Sequence, residues 1–329
     1  MMKRVEFGEY IKYIREQKRI PQGRVCDGIC SKVLYHYYEE GKSCPGFWIR
    51  NRFLSRLGVS QKNRIAYVHY DEYSMWEKYW RLVECVDIGA NETALKLINE
   101  IQKCFSEYEV SSIERQMIYA LKAKVLLQIN PKSDVRYLYF MAIKETIPDF
   151  QKKRIDNFLL SIEELYYILA FYKSEYEYYS DNIEKNFSAE MNELSNNVWD
   201  LIKYIEQSEL DTDNKFWLLY FAKRLENELG IARTTYVCGN NKTSERSKVK
   251  ENFALLCNIP KIYCESQVID VYRRKQKKSI EDVSECGVSP RTIQRIVSKQ
   301  TKPKQQTLNA IFDYLEIPEC YELPSASMI

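Results

Sequence analysis

The chain has 329 residues, 45% of them apolar, with only 10 glycines and 9 prolines. That composition buries a sizeable core, excludes a disordered tail and predicts an all-α fold of two or three domains. The net charge of +3 is segregated: residues 1–64 carry 14 basic against 6 acidic side chains, residues 241–304 carry 15 against 7, and residues 65–240 carry 20 against 29, so basic ends that suit phosphate flank an acidic body.

Residues 1–66 are expected to form an amino-terminal helix-turn-helix domain. Phe7, Tyr10, Ile11 and Ile14 mark a first amphipathic helix, and Gln22 begins a second, short one. Gly28-Ile29-Cys30-Ser31 makes the turn, with Ser31 capping the helix that would read DNA. Gly41 ends that helix, and Pro45 precedes a closing helix bearing Phe47, Ile49, Phe53, Leu54 and Leu57. The run Gly28 to Ser31, the triplet Glu39-Glu40-Gly41, Pro45, and Leu57 to Ser60 together resemble the amino-terminal domain of peptide-responsive regulators of the Rgg/PlcR type. The resemblance implies a DNA-reading helix joined to a helical-repeat receptor. In this chain that helix runs Lys32-Val33-Leu34-Tyr35-His36-Tyr37-Tyr38, with Tyr35 and Tyr38 where the family has buried aliphatics and Val33, Leu34 and Tyr37 where it has polar residues. An aromatic face of this kind suits thymine methyls and sugars, or equally a partner helix. Arg24, Ser31 and Lys32, with Arg50 and Arg52, are the candidate DNA contacts of this end.

Residues 67–260 read as a succession of amphipathic helices, a helical-repeat solenoid of the tetratricopeptide kind. Trp76, Trp80 and Val83, then Ala94, Leu97, Ile101 and Cys104, then Ala120, Ala123 and Leu127 fall at helical spacing. Helix pairs starting near 75, 111 and 155 approach the ~34-residue period of such repeats. The stretches Ala142 to Phe150 and Phe158 to Leu165 again resemble the repeat region of the Rgg/PlcR-type family. The resemblance implies a concave surface for a short signalling peptide and a homodimer formed through the repeats. Asn91, Asn99, Asn157 and Asn227 are the side-chain amides available to a peptide backbone, and Tyr166, Tyr167, Tyr172, Tyr176, Tyr178 and Tyr179 are read as helix packing or a ligand groove.

Residues 261–329 are expected to form a second helix-turn-helix domain. Ser279 caps a short helix carrying Ile280 and Val283, with Cys286 one turn on, and Gly287 ends it. Ser289 and Pro290 start the next helix, where Ile293, Ile296 and Val297 form the apolar stripe. After the loop from Lys299 to Lys304, Leu308, Ile311, Phe312 and Leu315 close the core. Gly287 to Ile296, Lys302-Pro303, Thr307-Leu308 and Leu315 to Ile317 resemble the Xre/lambda-repressor-like helix-turn-helix family over about fifty residues. On that resemblance Arg291 and Gln294 face base edges, where Arg reads guanine and Gln adenine, Ser289 is a further DNA-binding candidate at the cap, and Arg295, Lys299, Lys302, Arg273 and Arg274, with Lys275, reach phosphates.

No motif supports enzymatic chemistry. Glycine-rich phosphate loops are missing from the sequence, the histidines are only His36 and His69, and the carboxylates Glu163 and Glu164 read as an acidic helix face. None of the ten cysteines forms a C-x-x-C pair, although Cys26 and Cys30 share a face if a helix runs through both; no metal and no cofactor are expected. The first residues lack an apolar signal core and no apolar run, Trp217 to Ala222 included, approaches the length that spans a membrane, which predicts a cytoplasmic protein without a membrane segment. The combined expectation is a dimeric, peptide-responsive regulator that binds double-stranded DNA. The alternative is a non-enzymatic scaffold or antirepressor using its helix-turn-helix modules for protein contacts.

Overall fold

A computed structural model describes residues 7–59, 66–68, 70–105, 110–182, 187–210, 212–230 and 262–317. His69, Ser60, the stretch 231–261 and the residues after 317 are among those outside the described residues. The described chain is helical apart from two three-residue strands.

Four short helices open it: α1 (Phe7–Gln17), α2 (Gln22–Cys26), α3 (Lys32–Glu39) and α4 (Phe47–Arg56). Their apolar faces meet in one core of Phe7, Tyr10, Ile11, Val25, Tyr35, Tyr38, Phe53 and Leu54, which also takes in Trp76 from the helix that follows. The two tyrosines of α3 therefore fill core positions, and Tyr35 stacks edge-on to Phe53 at 4.9 Å. A buried polar knot ties the unit together. Arg15 of α1 pairs with Glu39 at the end of α3 at 2.5 Å, and Gln22 Nε2 donates to the same carboxylate at 2.6 Å.

The middle is built from α5 (Tyr70–Asp87), α6 (Asn91–Cys104), α7 (Ser112–Ile129), α8 (Arg136–Thr146), α9 (Ile162–Asp181), α10 (Ser188–Gln207) and α11 (Thr212–Glu228). Ser111 and Ser161 start α7 and α9 with capping boxes, each hydroxyl accepting from the amide three residues on while Glu114 or Glu164 returns to the cap amide. One apolar cluster joins α5, α6 and α7, and a larger one joins α7 through α11. The odd-numbered helices start at 70, 112 and 162, followed by 212, so the helix pairs are longer than the ~34-residue unit read from the sequence. Long helices account for this: α9 and α10 each run 20 residues.

The carboxy-terminal helices are α12 (Glu265–Lys275), α13 (Ile280–Val283), α14 (Pro290–Val297) and α15 (Gln305–Tyr314), around Val268, Ile269, Val283, Ile293, Ile296, Leu308, Ile311 and Leu315. The strands were not foreseen. β1 (Ala66–Val68) pairs in parallel with β2 (Ile262–Cys264), with Ala66 opposite Ile262 and Val68 opposite Cys264. Three residues carry too little alternation to register as a strand in the sequence, and the pairing joins segments nearly two hundred residues apart. Among the described residues, no helix is long and apolar enough to cross a membrane.

Candidate nucleic-acid interface

The geometry of the carboxy-terminal unit follows its caps. Ser279 Oγ accepts from the Asp282 amide at 3.0 Å while the Asp282 carboxylate accepts from the Ser279 amide at 2.7 Å, so α13 begins where the sequence places it. A 3-10 turn over Ser284–Cys286 then delivers the chain to Gly287 at φ 88°, a left-handed conformation that glycine adopts without steric penalty. Ser289 caps α14 by accepting from the Thr292 amide at 3.3 Å, with Pro290 at the first helical position. Ile293 and Ile296 point into the core. The helix thus presents Arg291, Thr292, Gln294, Arg295 and Ser298 on its exposed side.

The side chains of Arg291, Gln294 and Arg295 make no hydrogen bond or ion pair among the described residues. Three extended polar side chains on one open helical face are what base edges and phosphates require. Ser289 is exposed beside them, although its hydroxyl serves the cap and contacts the Thr292 hydroxyl at 2.8 Å. Lys302 is exposed in the loop after α14.

Several of the expected phosphate contacts have partners within the protein. Arg273 Nη2 binds Asp270 at 2.6 Å and its Nη1 donates to the Lys278 carbonyl at 2.9 Å, so its guanidinium closes the end of α12 rather than facing out. Lys299, at φ 59°, holds its ammonium 4.9 Å from the Tyr73 ring of α5, a cation–π contact that docks this unit on the first helix of the middle region. Arg274 shares Asp270 at 2.7 Å but is 74% exposed and retains donors for solvent or phosphate. Nothing in the sequence marked Tyr73 as the seat of this contact.

The amino-terminal unit has the same order of helices in a different setting. Ser31 caps α3 by accepting from the Leu34 amide at 3.2 Å, and Lys32 is exposed at its first turn. Arg24, expected at a phosphate, instead donates through Nη2 to the carbonyls of Asp156 and Phe158 at 2.9 and 2.8 Å. Arg52 is also withdrawn: it is buried, 3.1 Å from Glu164. Arg56 completes that knot, with Nη2 at 2.6 Å from Glu164 and Nη1 donating to the carbonyls of Val25 and Asp27 at 2.9 and 2.7 Å. The two guanidiniums hold the Glu164 carboxyl far below the usual carboxylate range despite complete burial. Glu164 is therefore no member of an acidic surface; the signal that could have found it is the Ser161-to-Glu164 capping-box spacing.

Gly28, at φ 70°, sits where a Cβ would overlap the Thr146 carbonyl at the end of α8. On α3 the unit exposes two apolar side chains, Val33 at 61% and Tyr37 at 43%, beside Lys32 and a His36–Glu40 contact of 3.1 Å.

A cavity of ≈ 380 Å³ opens in the middle region, among α7, α8, α9 and α11. Leu127, Tyr139, Tyr166, Leu169, Phe221 and Leu225 line its apolar part, and Lys124, Lys173, Glu177, Arg224 and Glu228 its charged part. Of the tyrosine cluster, Tyr166 lines the cavity while Tyr167 and Tyr172 are buried in the core. The four candidate asparagines are not gathered there. Asn91 and Asn99 lie on α6, Asn157 lies in a 3-10 turn, and Asn227 is exposed near the end of α11; none lines the cavity.

A helix-turn-helix family model matches residues 271–321, from the last turn of α12 through α15. The carboxy-terminal unit is accordingly an Xre-like helix-turn-helix, the type of domain found in DNA-binding regulators. No curated protein and no solved structure matches the chain.

Proposed function

We propose that the protein is a sequence-specific, DNA-binding transcriptional regulator in which α14 lies in the major groove. The observation that carries this reading is the open face of α14, where Arg291, Gln294 and Arg295 stand exposed on a helix whose position is set by caps and a buried stripe. Arg291 and Gln294 read base edges from the amino-terminal half of the helix; Arg295, Arg274 and Lys302 bind phosphates and set the register. One module makes few base contacts, so the working species is a homodimer on two half-sites. The cavity takes a short peptide, its apolar side chains against Leu127, Leu169 and Phe221 and its charged groups against the rim.

A selection of bound sequences from a random duplex pool tests this reading. A recurring half-site whose recovery falls steeply with salt supports it; recovery of no sequence above background at low salt refutes it.

A second reading concerns the amino-terminal unit alone. Arg24, Arg52 and Arg56 face the protein, and the exposed Val33 and Tyr37 are apolar, which favours protein contact through α3 as an antirepressor-like scaffold would use it. Co-purification of a stoichiometric protein partner lost in Val33→Glu supports that role.

A further inference from the structure

Two thiols meet in the turn between α2 and α3. α2 ends at Cys26, the chain passes Asp27 and left-handed Gly28, and the amides of Ile29 and Cys30 both return to the Cys26 carbonyl, at 2.9 and 3.1 Å. A single turn closed in this way separates its end Cα atoms by about 6 Å, within the ~4.4–6.8 Å that a disulfide spans. The two thiols lie close enough to perturb one another, Cys26 buried in the core with its Sγ donating to the Gly23 carbonyl at 3.8 Å and Cys30 half-buried beside it.

Arg56 grips the carbonyls on both sides of Cys26, so a guanidinium stands next to the pair. The interaction with Cys30 lowers the Cys26 thiol, against burial and with help from Arg56; the same interaction and burial push the Cys30 thiol up. Of the two, Cys26 is the more readily deprotonated.

We propose that Cys26 and Cys30 are a reversible oxidation site whose substrate is a peroxide and whose product is a disulfide within the helix-turn-helix turn. The Cys26 thiolate attacks one oxygen of hydrogen peroxide, the O–O bond breaks, and the departing hydroxide takes a proton to become water. Cys26 is then a sulfenic acid. The Cys30 sulfur attacks the Cys26 sulfur, the S–O bond breaks, and hydroxide leaves with the Cys30 proton as a second water. Two thiols and one peroxide become one disulfide and two waters, and a dithiol reductant reverses the change. The turn has little slack to absorb it, because Gly28 is wedged against the Thr146 carbonyl and Ser31 caps α3 immediately after Cys30. Drawing Cys30 onto Cys26 shifts the first turn of α3 against the middle region.

The competing thiol is Cys44, which is exposed and, like Cys30, bears on the Tyr38 hydroxyl. The test treats the full folded chain with hydrogen peroxide, quenches, alkylates and maps the peptides by mass. The expected result is loss of two hydrogens from the peptide holding Cys26 and Cys30 in most chains, restored by dithiothreitol and unchanged in Cys44→Ser. In Cys30→Ser the expected product is a Cys26 sulfenic acid trapped by dimedone. A Cys30–Cys44 link, full alkylation of Cys26 and Cys30 in chains whose Cys44 is oxidised, or a Cys26–Cys30 link that forms only in denaturant overturns the proposal. Wild type and Cys44→Ser decide the matter even where Cys30→Ser fails to fold.

Discussion

At the turn before α3, Gly28 lies against the Thr146 carbonyl; at the turn before α14, Gly287 has open space around it. Both glycines take the left-handed conformation at the turn between a short helix and the one that follows, so that local backbone plan is shared. The surroundings differ. The amino-terminal unit is packed into the body through the Arg52–Arg56–Glu164 knot and the Arg24 contacts, whereas the carboxy-terminal unit is joined by a short strand pair and the Lys299–Tyr73 contact. The comparison teaches that matching charge and spacing at the two ends hide different destinations for the arginines at the helix-turn-helix positions: Arg24, Arg52 and Arg56 turn to the protein at one end, while Arg291 and Arg295 stand outward at the other.

The largest effect that could break this contrast is at Glu164. Replacing it by Ala leaves Arg52 and Arg56 buried without their carboxylate, and we expect a loss of about 3–5 kcal/mol in denaturant unfolding. A loss under 1 kcal/mol would show that the amino-terminal unit is not held as described. The same carboxylate sets a pH dependence. Its folded value is depressed below an unfolded value of about 4.3, so its contribution is complete above that value and is lost as pH falls through it and beyond. The thermal midpoint should therefore fall on acidification below about pH 4.

Next in size come the two glycines. Gly287→Ala carries only the left-handed penalty of roughly 1–2 kcal/mol. Gly28→Ala adds overlap with a backbone carbonyl and should destabilise more, a ranking that paired thermal melts check. Equal shifts would mean the amino-terminal turn stands free of α8.

Arg291→Ala should weaken binding to the selected duplex by about 1–3 kcal/mol and relax one position of the site, while leaving stability within about 0.5 kcal/mol. Fluorescence anisotropy with matched and substituted duplexes reads both. The smallest effect is at the domain contact: Tyr73→Ala removes the ring under Lys299 and should cost about 0.5–1 kcal/mol.

Much of this was written in the caps. Ser279, Gly287, Ser289 and Pro290 each do locally what their side chains or backbones dictate, and the carboxy-terminal unit was legible almost residue by residue. The buried knot was not, because an arginine followed four residues later by another looks the same whether it faces water or a carboxylate more than a hundred residues away. Arg24 and Arg273 were misplaced for that reason: their partners are carbonyls and a nearby aspartate that composition does not reveal. The asparagines failed as a groove because amides recur on any polar helix face, and the cavity instead draws on leucines and tyrosines whose spacing matches ordinary core.

The most direct test of the account compares two double variants on the duplex selected by the full chain. Arg291→Ala with Gln294→Ala should abolish sequence preference and leave weak, salt-sensitive binding, while Lys32→Ala with Tyr37→Ala should bind that duplex as the unaltered protein does. The reverse pattern, preference surviving the first pair and lost with the second, would contradict the assignment of base reading to α14.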